Sequence, residues 1–436
     1  MIGKRIIWGF FCSLFLWVQL GTTTYAAENN TELSLFATSA VLMDADSGRV
    51  LYSKNADSPM AMASTTKIMT CIVVLENVED LSEMLTISPY ASTMPKVKLY
   101  LNAGEQYQVR ELLYSMMLES HNDSAVALAE YVGKQYLDED LKNKDTSQFT
   151  AEESKKAVKA FANLMNEKAR ELGCADTYFI TPNGLDATET ITPESGDVII
   201  KEHHTTATEL AKIMSYCIKE SAKRDLFLEI TRTPSYSFTE NSRSFCCNNH
   251  NAFLSMMEGA LSGKTGFTSK AGYCYVGAVE RDGRTFVVAL LACGWPNNKT
   301  YKWSDTKELM QYGLNNYFYK SFLEKGIAID ETQLAAIQVV DGQSEKLGEE
   351  VYAGVAVVKE EETLEGMLLR ADENVQVQYQ QESMLEAPVR SGEIVGTVYY
   401  SVDGTVYRTE SIVATDTIEK IDFKWCVQQI WGRFLM

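Results

Sequence analysis

The chain has 436 residues, 45% hydrophobic and 23% charged, with 8 prolines and 26 glycines. Those proportions exclude a disordered, collagenous or low-complexity polymer and leave room for two or three packed domains. Lys and Arg total 40 against 59 Asp and Glu, a net charge of -19, which repels phosphate backbones and argues against a nucleic-acid partner.

The first segment carries Lys4 and Arg5, an apolar run from Ile6 to Leu20 and a small-residue site at Thr24-Tyr25-Ala26. This pattern predicts a secretory signal over 1–26, cleaved after Ala26, because the run is shorter than the roughly 20 residues a membrane span needs. Ala40–Ala45 and Arg49–Tyr52 flank Asp46-Ser47-Gly48 and predict an edge hairpin. Helices are expected over Ser64–Glu76, 110–133 and 151–173, where apolar residues recur at helical spacing, with Asp138–Glu153 as an exposed insertion. Strands return at Tyr273–Val279 and Thr285–Cys293, and Thr306–Tyr319 is helical again.

Helices and strands mix without a regular βαβ alternation, so the fold class is α+β, with a largely antiparallel sheet flanked by helices over 27–326. From 327 to 415 short alternating runs predict a small all-β domain. Its clearest element is Thr397–Val402, Asp403-Gly404, Thr405–Arg408, a hairpin with a type I′ turn. Residues 416–436 place Phe423, Val427, Ile430, Trp431, Phe434 and Leu435 at i, i+4, i+7, i+8, i+11 and i+12, with Lys420, Lys424 and Arg433 between them. That is an amphipathic helix suited to a membrane interface.

Nine cysteines at irregular spacing form no CxxC pair, and four histidines (His121, His203, His204 and His250) form no ligand cluster. Buried free thiols are the simplest reading, the His203-His204 pair falls in a polar loop, and neither a metal nor a cofactor is expected.

Ser64-Thr65-Thr66-Lys67 at a helix start brings a lysine amine over a serine hydroxyl on one helical face. A nucleophilic serine needs such a base, and a lysine serves only when burial or a neighbouring cation lowers its pKa. A second match, Ser304–Lys307, lacks partners and reads as a solvated helix start; Ser53-Lys54-Asn55 reads as a loop. Ser120-His121-Asn122 and Lys264-Thr265-Gly266 follow Ser64 in the order that marks serine penicillin-recognising enzymes.

Around these motifs, VLMDADSGRVLYSKNADSPMAMASTTKIMT, LNAGEQYQVRELLYSMMLESHNDSAVALAEYVG, ARELGCADTYFITPNGLDA and LSGKTGFTSKAGYCYVGAVERDGRTFVVALL resemble one branch of those enzymes. It is the low-molecular-mass D-alanyl-D-alanine carboxypeptidases of bacterial cell-wall metabolism, peptidase family S11. The resemblance covers most of residues 38–320, and APVRSGEIVGTVYY is similar to that family's C-terminal domain. It implies a β-lactamase/DD-peptidase-like fold and release of the terminal D-alanine from peptidoglycan stem peptides through an acyl-enzyme, with β-lactams as covalent inhibitors. By the same resemblance Ser64 is the nucleophile, Lys67 the general base and Ser120 a proton relay, while Asn122, Lys264, Thr265, Gly266 and Phe267 bind substrate. The oxyanion donors are the N–H groups of Ser64 and Phe267. The expected location is exported, at the outer face of the cytoplasmic membrane.

Four departures stand out. His121 replaces the usual glycine of the middle motif, and Phe267 stands where other members carry histidine. No arginine follows the strand after Lys-Thr-Gly, which leaves Lys299 as a substitute, and Cys71, on the face beneath Ser64, reads as packing. The alternatives are a β-lactamase of the same fold, a transpeptidase and a catalytically silent wall-binding scaffold.

Overall fold

A computed structural model describes residues 33–191, 196, 198–322, 329–358 and 364–434. The predicted export signal, residues 1–26, lies outside the described residues. The predicted antiparallel sheet is present with five strands: β1 (Ser39–Asp44), β2 (Val50–Lys54), β3 (Ala260–Thr268), β4 (Gly272–Arg281) and β5 (Arg284–Leu291), in the order β2-β1-β5-β4-β3. β1 and β2 form the expected hairpin, with Gly48 at φ 69° in its turn and β2 at the sheet edge.

β5 reads RTFVVALL and is buried at every position, as a strand covered on both faces must be. Val287, Ala289 and Leu291 point with Val41 and Met43 into one apolar cluster, and Phe286, Val288 and Leu290 point with Ala40 and Leu42 into another. The first cluster is closed by helices α1 (Lys67–Asn77), α2 (Val109–Leu118), α3 (Asn122–Gly133), α4 (Ala151–Glu171) and α5 (Ala207–Lys219); α6 (Tyr301–Asn316) covers the second. α6 packs close because Gly313 has no side chain, since a Cβ there would meet Phe286 at 2.9 Å and Leu42 at 3.0 Å.

Some expectations change. The helix expected over 110–133 is two helices broken at Glu119–His121, where Ser120 takes φ 66°. The stretch Asp138–Glu153 is exposed over much of its length, as expected of an insertion, but it is ordered by capping. Asp138 and Asp145 accept from Leu141 and Ser147 N–H groups, Thr150 and Glu153 form a reciprocal capping box at the start of α4, and Leu141, Thr146 and Phe149 are buried. Cys71, Cys174, Cys217, Cys247, Cys274 and Cys293 are buried free thiols, but Cys246 is exposed.

Phe318–Ser321 pairs with Gly366–Leu369 and leads into the β-rich unit. Its main sheet contains β6 (Val355–Val358), β7 (Gln376–Gln381), β8 (Ile394–Val402) and β9 (Thr405–Ala414) in the order β6-β9-β8-β7. Asp403 and Gly404 have φ of 49° and 80°, the double positive φ that a type I′ turn requires. The last helix, α7 (Phe423–Phe434), starts at Phe423 rather than at the predicted 416. Ile418 instead bridges Val389 and Lys420 bridges Gly342, so the chain leading to α7 is tied to the β unit by backbone pairing.

One buried ion pair joins the two regions. Arg49 donates to both Glu373 oxygens at 2.9 and 2.7 Å and to the Leu368 carbonyl at 2.8 Å, with both charged side chains 7% exposed. Removing one partner leaves an uncompensated buried charge, so Glu373→Leu is expected to lower stability by about 3–5 kcal/mol in urea denaturation. Adding Arg49→Met to Glu373→Leu is expected to recover much of that loss.

Candidate active site

The three motifs converge on one cleft of about 560 Å³ whose wall includes Ser64, Ser120, Thr265, Gly266 and Phe267. Ser64 sits in a single 3₁₀ turn, Ala63–Thr66, that feeds directly into α1, so Lys67 is the first residue of that helix. Two glycines let other backbone segments press on this turn. A Cβ on Gly184 (φ 82°) would lie 2.0 Å from the Ala63 carbonyl oxygen, and one on Gly266 would lie 2.9 Å from Ser64 N. The strand carrying Lys-Thr-Gly therefore runs hard against the Ser64 amide.

Lys67 is fully buried. Its Nζ lies 2.9 Å from Ser64 Oγ, 3.0 Å from Asn122 Oδ1 and 2.5 Å from the Asn183 carbonyl oxygen. Burial lowers its pKa well below the usual lysine value, and the Lys264 charge lowers it further; Asp123 opposes both. Asp123 makes no bond to the amine, because its carboxylate accepts from the N–H groups of Leu99, Leu101 and Ser124 at 2.9, 3.2 and 3.0 Å. A neutral amine has two N–H donors and one lone pair. In that form the amine can give its donors to Asn122 Oδ1 and the Asn183 carbonyl and turn its lone pair to Ser64 Oγ, which also lies 3.4 Å from the Asn183 carbonyl oxygen.

Ser120 stands in the break between α2 and α3, and its Oγ accepts from Lys264 Nζ at 3.0 Å. Lys264 is 2% exposed, also donates to the Thr265 carbonyl at 2.9 Å, and is held at a pKa of about 7 by burial. Asn122, at the start of α3, donates Nδ2 to the Pro95 carbonyl at 3.2 Å. Phe267 is 40% exposed and packs its ring on Tyr273 with centroids 4.6 Å apart.

His121 is 8% exposed, bonds Ser115 Oγ through Nδ1 at 2.8 Å, and is pushed by burial to a pKa of about 4. It is a core histidine. Lys299 is an exposed residue of the cleft wall. The sequence did not mark its neighbour Lys302, which is 6% exposed with its ammonium 4.8 Å from the Tyr273 ring centroid and 4.6 Å from that of Trp303. The Ser304–Lys307 match stays solvated on α6, with both residues exposed. Cys71 is fully buried, as packing requires.

Two contributors escaped the sequence reading. The Asn183 carbonyl is a backbone atom, whose role no residue type advertises, although the Asn183-Gly184 pair signals a tight turn. His203 is not a polar-loop residue: it is buried against Thr66, with Nε2 2.8 Å from the threonine hydroxyl. Among the described residues no group of three or more His, Cys, Asp or Glu could hold a metal ion.

The fold agrees with solved penicillin-binding DD-peptidases. Penicillin-binding protein 5 from Haemophilus influenzae superposes with a TM-score of 0.62 at 23% identity, over 90% of this chain and 100% of that one. A point mutant of the Streptomyces K15 DD-transpeptidase superposes at 0.52 with 28% identity, over 65% and 100%. The chain thus has the penicillin-binding DD-peptidase fold. A family model described as D-alanyl-D-alanine carboxypeptidase, Peptidase_S11, matches residues 24–137 and 146–293, and one described as penicillin-binding protein 5, C-terminal domain, matches 369–420. D-alanyl-D-alanine carboxypeptidase DacF of Bacillus subtilis is 25% identical over 410 residues, 93% of this chain and 92% of the relative. The D-alanyl-D-alanine carboxypeptidase of Streptomyces sp. K15 is 30% identical over 305 residues, 67% and 92%. The chain belongs to the D-alanyl-D-alanine carboxypeptidase family S11. The gap between the two matched stretches begins at residue 138, where the capped short helices begin.

The buried amine of Lys264 has a stability consequence. Its folded pKa of about 7 lies below the ordinary 10.5, so between those values the unfolded chain holds a proton that the folded one lacks. The destabilisation is complete below pH 7 and fades as pH rises toward 10.5. Lys264→Gln is therefore expected to be more stable than the parent at pH 7, by about 1–3 kcal/mol. In urea denaturation the gap is expected to shrink at pH 9.5.

Proposed function

We propose that the chain is an exported serine carboxypeptidase that removes the terminal D-alanine from peptidoglycan stem pentapeptides. The observation that carries this reading is the buried Lys67 amine, 2.9 Å from Ser64 Oγ and without a carboxylate partner. Such an amine is a base at neutral pH.

Ser64 Oγ attacks the carbonyl carbon of the penultimate D-alanine as its proton passes to Lys67 Nζ. The resulting oxyanion is received by the N–H groups of Ser64 and Phe267, brought together by the close approach at Gly266. The C–N bond then breaks. Ser120 Oγ, held by Lys264 Nζ at 3.0 Å, donates its proton to the departing amine, and the proton that Lys67 took from Ser64 replaces it, which leaves Lys67 neutral again. Free D-alanine leaves, and an ester joins the acyl group to Ser64. Water, deprotonated by Lys67, attacks that ester and restores Ser64. Thr265 O–H binds the substrate's terminal carboxylate, and Lys264, Lys299 and Lys302 supply the positive field that draws it in. The second Nδ2 hydrogen of Asn122 is the donor for the acyl-side amide. A β-lactam amide follows the same path to a slow-hydrolysing Ser64 ester.

The chain is proposed to act at the outer face of the cytoplasmic membrane. Phe423, Val427, Ile430 and Trp431 are exposed along one face of α7, which suits burial at a lipid interface. No helix among the described residues is long and apolar enough to cross a membrane.

The parent is expected to release free D-alanine from a Lys-D-Ala-D-Ala-terminated peptide, and Ser64→Ala to lose at least about 10³-fold in rate. No release from folded parent protein contradicts the hydrolase. In lipid flotation, a chain ending at Asp422 is expected to stay with the soluble fraction while the chain that includes α7 floats. Equal flotation of both contradicts attachment through α7.

A further inference from the structure

His203 is not a residue of the cleft wall and its hydrogen bonds go to neither Ser64 nor Lys67, yet it is wedged between the two backbone segments that hold them. It is 4% exposed and sits edge-on to Phe179, ring centroids 5.9 Å apart. Its Nδ1 lies 2.9 Å from Ile180 N and 3.4 Å from Thr181 N. Both of those are backbone N–H donors, so Nδ1 carries the lone pair and Nε2 carries the hydrogen. Nε2–H donates to Thr66 Oγ1 at 2.8 Å, and Thr66 O–H donates to the Ala63 carbonyl at 2.8 Å. Thr66 and Ala63 flank the turn that presents Ser64. Ile180 and Thr181 open the segment that ends in Pro182, whose carbonyl accepts from Thr70 Oγ1 at 2.6 Å, and in Asn183, whose carbonyl accepts from Lys67.

From this geometry we infer that His203 is a positioning residue for the acyl-transfer step, a strut that fixes the Asn183 carbonyl relative to the Ser64–Lys67 turn and so keeps Lys67 dry, neutral and aimed at the serine hydroxyl. The inference rests on the Ser64–Lys67 reading above. If the strut is removed, the 180–183 segment can draw back from α1 and water can reach the amine. Lys67 then regains hydration, and its proton is held to higher pH. The charged and titratable groups that face Lys67 are Lys264, Asp123, His121 and His203 itself; those facing His203 are His204 and Lys67. Burial keeps His203 neutral, at a pKa of about 3, so it does not titrate in the working range.

The test uses the full chain with Thr66→Val, His203→Gln and His203→Phe. Acylation of Ser64 by a fluorescent penicillin is followed from pH 5 to pH 10, and peptide-level hydrogen exchange is followed across residues 178–186. Thr66→Val preserves volume and removes only the hydroxyl, so it keeps the inference testable if a His203 variant does not fold. The strut predicts that Thr66→Val and His203→Phe acylate about tenfold more slowly at pH 7. It also predicts that their acid limb moves up by about one pH unit, that His203→Gln is less affected, and that exchange across 178–186 accelerates. A purely structural histidine would lower the melting temperature and slow acylation equally at every pH. That result, or an acid limb and exchange unchanged from the parent, overturns the inference. If the parent itself is not acylated, the proposed function fails, and accelerated or unchanged exchange in Thr66→Val decides the strut alone.

Discussion

The site depends on burying a lysine amine where no carboxylate can neutralise it. An unpaired cation in a low-dielectric interior is costly, and a lysine escapes that cost by giving up its proton. The fold enforces this outcome at Lys67 by committing the nearby Asp123 carboxylate to backbone N–H groups of the Leu99–Leu101 loop. It then offers the amine two neutral oxygens, Asn122 Oδ1 and the Asn183 carbonyl. A second buried amine, Lys264, adds repulsion to desolvation. Two buried amines, each hydrogen-bonded to a serine, thus stand side by side in the arrangement that the proposed mechanism uses as a base for one hydroxyl and a proton source for the other.

Close backbone approach makes this arrangement possible. Gly184 and Gly266 let two chain segments touch the Ser64 turn at distances that any side chain would forbid. The break at Ser120, in the left-handed region, turns its hydroxyl toward Lys264 while α3 begins with Asn122 facing Lys67. These features place polar groups and strained backbone in the middle of a core that apolar packing alone would fill. The stability comes from elsewhere, above all from β5, buried on both faces between helical layers. The site lies at an edge of the sheet, on β3, two strands away from the central β5.

Much of this was legible in the sequence. Asp403-Gly404 announced its turn because only residues tolerant of positive φ serve there, and the three motifs announced a site because their side chains carry the chemistry. What stayed hidden was whatever depends on the backbone or on tertiary contact. The Asn183 carbonyl has no side-chain signature. His203 lies beside a second histidine in a polar stretch, and the bridges of its neighbours, His204 to Tyr178 and Thr205 to Met60, turn it inward. Lys302 resembles any helix-start lysine until Tyr273 and Trp303 are seen beside it. The helix expected through 110–133 kept its apolar period across the break, so periodicity could not reveal the Ser120 turn. The start of α7 was misplaced for a related reason: Ile418 fits a helical stripe equally well, and its bridge to Val389 settled its conformation.

The protonation state of Lys67 is the quantity on which the account turns. NMR of protein carrying ¹³C,¹⁵N-labelled lysine reads it directly, with the Lys67 signal assigned by its loss in Lys67→Arg and followed from pH 5 to pH 11. The account predicts a side chain that titrates far below the ordinary lysine range and is a neutral amine at pH 7. A Lys67 signal that titrates near 10.5, an ammonium throughout the neutral range, would contradict it.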